Sequence, residues 1–287
     1  MPPFALGLVL MAAALHASYH LLYKKSLDKE AFSWWLLCVS TVAYFPLFLA
    51  YRPSIPASGW PLILASGAGE TMYFALLARA YDRGDLSLVY PLARGSAPLF
   101  IFLLAFSMLG ERVAALGMLG IGLVAVGLYL LPLRSLDDII LPLRALGDRP
   151  ARLALLAGMA ISAYTVTDKV GVRLVDPFPY IYLVLAVTLG FFTVYLLVTH
   201  RIGPLLHEWR ANKVSVSLSG ILGLFTYLLV LKAMQISYVS YVRSVREVSI
   251  VLGALIGWLV LKEECGPLRL AASALAFAGT LLIGASG

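Results

Sequence analysis

Apolar runs of about 20 residues, separated by charges, prolines and glycines, repeat along the whole chain. Five can be drawn at 4–23, 32–51, 61–81, 88–108 and 113–131. After a basic, proline-containing stretch at 132–151, five more follow at 152–172, 180–199, 214–234, 239–260 and 268–285. The runs are continuous rather than alternating and long enough for a helix to cross the bilayer hydrocarbon, which predicts helices and excludes a barrel. The expected fold is an all-α integral membrane protein with ten transmembrane helices.

The two sets of runs read as a repeat, 1–131 and 152–287, joined by the basic linker 132–151. Arg79-Ala80 precedes a short loop, a helix with Arg94, the pair Gly110-Glu111 and a glycine-rich run with Gly117, Gly120, Gly122 and Gly127. Lys232-Ala233 precedes a short loop, a helix with Arg243 and Arg246, the pair Lys262-Glu263 and a small-residue run from Ala271 to Gly279. One shift along the chain superposes Arg94 on Arg246 and Glu111 on Glu263. Five crossings per repeat is odd, so the copies must be inverted, as in transporters whose site lies where the repeats meet.

Composition narrows the class further. Of 287 residues, 61% are hydrophobic and 13% charged, with a mean hydropathy of +0.90; about a quarter charged is usual for soluble chains. A net charge of +7 would suggest nucleic acid in a soluble protein, but here the charge sits in loops and reads as membrane orientation. Lys24, Lys25, Lys29, Arg83, Arg134, Arg144, Arg149, Arg201, Arg210, Lys213 and Lys262 gather on one side, and chiefly Arg52, Arg112 and Arg173 on the other. The count makes the basic side cytoplasmic and puts both termini outside. Met1-Pro2-Pro3 opens a retained helix rather than a signal peptide. Cys38 and Cys265 form no disulfide framework and no metal spacing, and no cofactor or nucleophile–base motif appears.

The candidate chemistry lies inside the apolar runs. Arg94 stands among Pro91, Gly95 and Pro98, a charge beside loosened backbone. Arg243, Arg246 and Glu247, at i, i+3 and i+4, share a helix face, as do Tyr90 and Arg94. Arginine's planar fork suits a carboxylate or phosphoryl group, and arginines from opposed repeats could grip one anion. The alternative is that Arg243–Glu247 and Arg94–Glu70 are ion pairs holding the halves together. Glu70 reads equally as a proton carrier and as a partner for Arg94. His16, Tyr19, His20 and Tyr23 form a polar stripe that could carry a proton or simply bond within the bundle. Tyr164 and Asp168, similar in position to Tyr19 and Tyr23, line the other half, with Lys169 reading as a residue that reaches for the interface. Tyr241 and Tyr227 are candidate walls. The Gly-Glu turns suggest helix caps and headgroup contacts; Gly117, Gly120 and the alanine-rich last run suggest close helix packing and a candidate homodimer surface.

Ala78-Arg79-Ala80-Tyr81, Gly84-Asp85-Leu86-Ser87, Tyr90-Pro91-Leu92-Ala93-Arg94-Gly95, Gly110-Glu111-Arg112 and Arg246-Glu247-Val248-Ser249, with the repeat and the ten runs, resemble the ten-helix EamA branch of the drug/metabolite transporter superfamily. Leu15-His16-Ala17-Ser18-Tyr19-His20 followed by Lys24 is similar to the His-Ala-x-Trp-Asn…Lys opening of one EamA subgroup, with Tyr19 and His20 in place of its Trp and Asn. The resemblance implies a secondary transporter of small metabolites in a bacterial cytoplasmic membrane. The arginines point to an anionic or zwitterionic substrate, with a proton as candidate coupling ion. A flippase for a phospholipid or polyprenyl-phosphate carrier is the alternative, and a membrane enzyme a third reading without a motif to support it. Relatives are drawn with both termini in the cytoplasm, opposite to the charge count. A phosphatase fused after Gly287 decides between them: the charge count predicts an active, extracytoplasmic reporter, the family arrangement a silent one.

Overall fold

The computed structural model describes all residues except 25, 82–85, 132, 134, 141–143, 145–146, 250, 253–266 and 287; the side chains of residues 20, 21, 24, 81, 86–88, 90, 91, 136, 267 and 269 also fall outside the description. The described residues form helices α1 (Pro3–Lys24), α2 (Lys29–Tyr51), α3 (Gly59–Tyr81), α4 (Leu86–Leu109) and α5 (Ala115–Leu130), a 3-10 turn at Leu136–Ile140, then α6 (Arg149–Leu174), α7 (Pro177–Val198), α8 (Pro204–Ile236), α9 (Val239–Arg246) and α10 (Pro267–Ala285). Among the described residues, six segments are long and apolar enough to cross a membrane: Lys29–Tyr51, Gly59–Ala80, Leu92–Leu109, Arg149–Leu174, Pro177–Val198 and Pro204–Ile236. Pro3–Tyr19, Ala115–Leu130 and Leu270–Ala285 are shorter apolar helices. The end of the expected span 239–260, and Lys262, Glu263 and Cys265, lie outside the described residues.

Local chemistry sets the helix ends. Asp28 caps α2 by accepting from the Ala31 N–H at 2.8 Å. Prolines stand in the first turns of α6, α7 and α8, where their missing N–H has no intrahelical partner to lose. Gly110 ends α4 with φ +65°, a conformation that disfavours a Cβ. α8 breaks at Asn212 (φ −128°, ψ 22°), whose amide donates to Glu208 Oε1 at 2.8 Å. The span therefore starts just beyond Asn212, close to the expected residue 214.

Interhelix contacts show how the repeats are arranged. Trp34 bonds Thr193 and Tyr51 bonds Asp176, both at 2.8 Å, so α2 and α7, equivalent helices of the two repeats, run antiparallel. A Cβ on Gly120 would meet the Gly279 carbonyl, and one on Gly127 the Ala272 carbonyl, so α5 and α10 are antiparallel too. Exchange of the repeats turns the pair α3–α6 into α8–α1, α4–α6 into α9–α1 and α2–α8 into α7–α3, and each of these pairs packs. The repeats are inverted, as expected.

The shift that carries Arg94 onto Arg246 also carries Gly120 onto Ala272 and Gly127 onto Gly279, so the two close contacts of α5 with α10 are copies of one another. It carries Ala5, Val9, Ala12, Ala13, His16, Ala17 and Tyr19 onto Ala157, Ile161, Tyr164, Thr165, Asp168, Lys169 and Gly171, and all fourteen are buried. Asp168 therefore matches His16 and Tyr164 matches Ala12, not Tyr23 and Tyr19 as their polar character had suggested. Burial follows the backbone register, and here the repeats differ in chemistry while sharing a shape.

The bundle has two distinct ends. Met1, Pro2, Arg112, Tyr238 and Ser286 line a pocket of about 320 Å³ at one end, which is also where Tyr51 meets Asp176. At the other, Arg201 pairs with Glu30 at 3.1 Å, and Glu208 accepts from the Leu27 and Asp28 N–H groups at 2.9 and 2.8 Å. These are the terminal end and the basic end below.

The small residues of α5 are engaged within the chain: Gly117 lies against the Tyr241 ring, Gly120 and Gly127 against α10. Backbone meets backbone at Gly120 and Gly127, so a side chain there cannot be accommodated by a rotamer change. Gly120→Leu or Gly127→Leu is expected to cost about 1–3 kcal/mol and to lower the melting temperature of the purified protein. Gly122→Ala, with nothing within 4 Å, should leave it unchanged or raise it slightly.

Candidate functional site

α9 has eight residues, and its last turn brings Arg243 and Arg246 to the junction of the repeats, followed by Glu247. Arg243 is 1% exposed. Its Nε lies 3.3 Å from Glu247 Oε1, yet none of its three guanidinium nitrogens makes a hydrogen bond, and neither does Glu247 Oε1. On the other oxygen of Glu247, Arg94 of the first repeat approaches to 3.6 Å. One buried carboxylate thus lies between two arginines from opposite repeats. Arg246 extends the cluster to α1: its Nη2 is 3.4 Å from His16 Nδ1, which Tyr19 OH approaches to 2.6 Å. A guanidinium only donates, so Nδ1 faces Arg246 as an acceptor.

A second pole forms across a set of aromatic rings. Asp168 is fully buried and accepts from Ser66 Oγ and Tyr227 OH at 2.5 Å and from Tyr180 OH at 2.9 Å. Glu70 accepts from Thr188 Oγ1 at 2.9 Å. Arg246 lies over the Tyr227 ring at 5.7 Å and Arg94 over the Tyr73 ring at 5.9 Å, distances at which the ring face attracts a cation. Tyr73 and Tyr164 pack with centroids 6.4 Å apart. Tyr227 thus touches both groups, with Arg246 over its ring and Asp168 on its hydroxyl.

Seven candidate residues, Arg94, Arg243, Arg246, Glu247, His16, Tyr19 and Tyr164, belong to this assembly, and Glu70 and Asp168 form its acidic pole. The side chains of Tyr90 and His20 lie outside the described residues. Tyr241 is not part of it. It stands two residues before Arg243, about 200° around the helix, and faces Gly117 and the terminal-end pocket instead. The ion pair expected between Arg94 and Glu70 is replaced by Arg94–Glu247, because α4 packs on its symmetry mate α9 while Glu70 turns to α7. Arg243–Glu247 pairs as expected.

Two further residues depart from the sequence reading. Lys169 does not reach for the interface. It is 5% exposed and donates to the carbonyls of Met234 and, at 2.6 Å, Ser237. Glu111 is a cap, but a buried one on a distant helix, accepting from Val239 N–H at 2.7 Å and from Ser240 N–H and Oγ at 3.3 and 2.6 Å. Ser66, Thr188 and Tyr180 gave no signal, since a lone hydroxyl in an apolar run acquires meaning only when folding sets it against a carboxylate.

The sequence model of the EamA-like transporter family matches residues 3–133 and 150–285. The chain belongs to the EamA-like transporter family. It is therefore a multi-pass membrane transporter of the drug/metabolite type, and the two matched segments fit the inverted repeat. Among 28 solved chains with significant similarity, one crystal structure is 15% identical and superposes with a TM-score of 0.75 over 97% of this chain and 96% of its own. At that identity it supports the fold. No curated protein gives a significant match.

The shared carboxylate makes a stability prediction. Glu247→Gln leaves the buried Arg243 guanidinium without its counter-charge and is expected to cost about 3–5 kcal/mol, read as a lower melting temperature. Adding Arg243→Met should recover part of the loss. A Glu247→Gln protein as stable as the parent would mean that Arg94 and Arg243 do not depend on this carboxylate.

Proposed function

We propose that this EamA-type protein is a secondary transporter that moves a small anionic or zwitterionic metabolite across a bacterial cytoplasmic membrane by alternating access. The observation that carries this reading is the Arg243 guanidinium, fully buried at the junction of the repeats with no hydrogen bond on any of its nitrogens. An arginine at the centre of a membrane helix costs about 2.5–3.5 kcal/mol on an insertion scale, and this one is supported by a single carboxylate already approached by Arg94. A substrate carboxylate or phosphoryl group would give Arg243 the paired acceptors its planar fork suits. Arg246 and Arg94 would add charge from α9 and α4, and Tyr19, Tyr73, Tyr164 and Tyr227 would supply the walls.

The acidic pole supports a zwitterion as well as a plain anion. An ammonium group near the Tyr227 hydroxyl, which bonds Asp168, would meet that carboxylate, while the substrate's anionic end met the arginines. Asp168, held by three hydroxyls, is the fixed member. Glu70 has Thr188 as its hydrogen-bond partner and is the better candidate to exchange a proton during the cycle. The repeats, 1–131 and 152–287, would rock about this layer, each exposing it to one face, with 132–151 as the tether.

A thermal-shift screen of the purified protein against amino acids, phosphonates, sugar phosphates and quaternary amines tests the reading. Amino acids or the anionic compounds are expected to raise the melting temperature, by an amount that grows with the logarithm of concentration above the dissociation constant. Arg243→Met should abolish that shift and reduce counterflow of the same compound in proteoliposomes by at least about tenfold, a loss worth roughly 1.4 kcal/mol. Stabilisation by quaternary amines alone would overturn the substrate class. Movement of phosphate-headed lipids alone would make the protein a flippase.

A further inference from the structure

The chain reverses between α8 and α9 through Ser237 and Tyr238, and two buried charges from elsewhere in the bundle grip that reversal. Ser237 is extended (φ −144°, ψ 165°), so α8 stops there and its last carbonyls lose their helical partners. Lys169 of α6 fills the gap, donating to the Met234 and Ser237 carbonyls. Two residues on, the first N–H groups of α9 are equally unpaired, and Glu111 from the α4–α5 connection accepts from Val239 and Ser240. A cation thus sits at a helix C-terminus and an anion at a helix N-terminus, each the sign that the helix dipole favours. Glu111 is 4% exposed and Lys169 5% exposed, so neither interaction is screened as a surface contact would be.

The two charges come from different repeats, Glu111 from the first and Lys169 from the second. The junction they hold borders the pocket at the terminal end, whose walls include Arg112, Ile236, Ser237, Tyr238 and Tyr241. The other end of α9, roughly 12 Å away at 1.5 Å per residue, carries Arg243 and Arg246. A tilt or unwinding of α9 at Ser237–Tyr238 would open a path from this pocket toward the arginines. Glu111 matches Glu263 under the repeat shift, but the lysine is one-sided. The repeat shift carries Lys169 onto Ala17, so the lysine has no counterpart on the opposite side of the bundle.

We propose that Lys169 and Glu111 are positioning residues that latch α9 and keep the terminal-end entrance closed, and that their separation is the step by which this end opens. The inference rests on the transporter assignment, but its test requires no substrate. In a background with Cys38→Ser and Cys265→Ser, a reporter cysteine is placed at Ser244, a buried α9 hydroxyl without a hydrogen bond. A control cysteine is placed at Ser162, buried on α6. Reaction of each with a membrane-impermeant anionic methanethiosulfonate, applied from the terminal end in sealed vesicles, reports access.

Lys169→Met and Glu111→Gln should each speed labelling at position 244 by about tenfold, the scale set by losing one buried charge at a helix end. Lys169→Arg should stay near the parent rate, because it keeps a cation on the same carbonyls. Labelling at position 162 should not change. Unchanged labelling at 244 in both variants overturns the latch. So does a matching rise at 162, which would mean the pair only holds the bundle together. Neither result bears on the thermal-shift screen, so failure of the latch and failure of the substrate assignment can be told apart.

Discussion

The structure depends on how three arginines are kept inside an apolar bundle. Glu247 lies between Arg94 and Arg243, one from each repeat, and this is the ion contact that crosses the interface at the arginine layer. The pairing is incomplete: Arg243 has charge compensation at 3.3 Å but no hydrogen bond. Buried ion pairs repay their desolvation only when geometry and hydrogen bonding are good. A poorly satisfied one is a costly way to hold two halves together. In the same layer Asp168 and Glu70 are held by hydroxyl groups rather than by the arginines.

That layer can be held in place because α9 is short and secured at its start. Glu111 and Lys169 satisfy the backbone groups that the α8–α9 reversal exposes, and in an apolar environment such groups are costly to leave unpaired. Around this irregular region the packing is regular. α5 and α10 approach through Gly120, Gly127, Ala272 and Gly279 in two copies of one contact, and α2 lies antiparallel to α7 along its length. Symmetric helix pairs thus surround the α8–α9 reversal. This suits a machine in which a few groups must move while the rest stays put.

Much of this was legible before folding was considered. Ten apolar runs, a shift that superposes Arg94 on Arg246, and an odd number of crossings per repeat were enough to expect an inverted helical bundle. Arg94, Arg243, Arg246 and Glu247 stood out because a charge in such a run is expensive and needs a reason. Less legible were the partners. Ser66, Tyr180 and Thr188 are ordinary hydroxyl residues in apolar helices. Nothing in their spacing links them to Asp168 or Glu70, which are 102, 12 and 118 residues away in the chain.

Sequence by itself determined the membrane class, the helical repeat, its inversion and the residues whose burial demands an explanation, because hydropathy and charge act locally and need no neighbours to be read. Only the tertiary structure decided who meets whom. It gave Arg94 to Glu247 instead of Glu70, turned Tyr241 away from the arginines, and drew Lys169 inward to the end of α8. These outcomes follow from which helix faces pack against which, and a one-dimensional pattern carries each face without naming its partner.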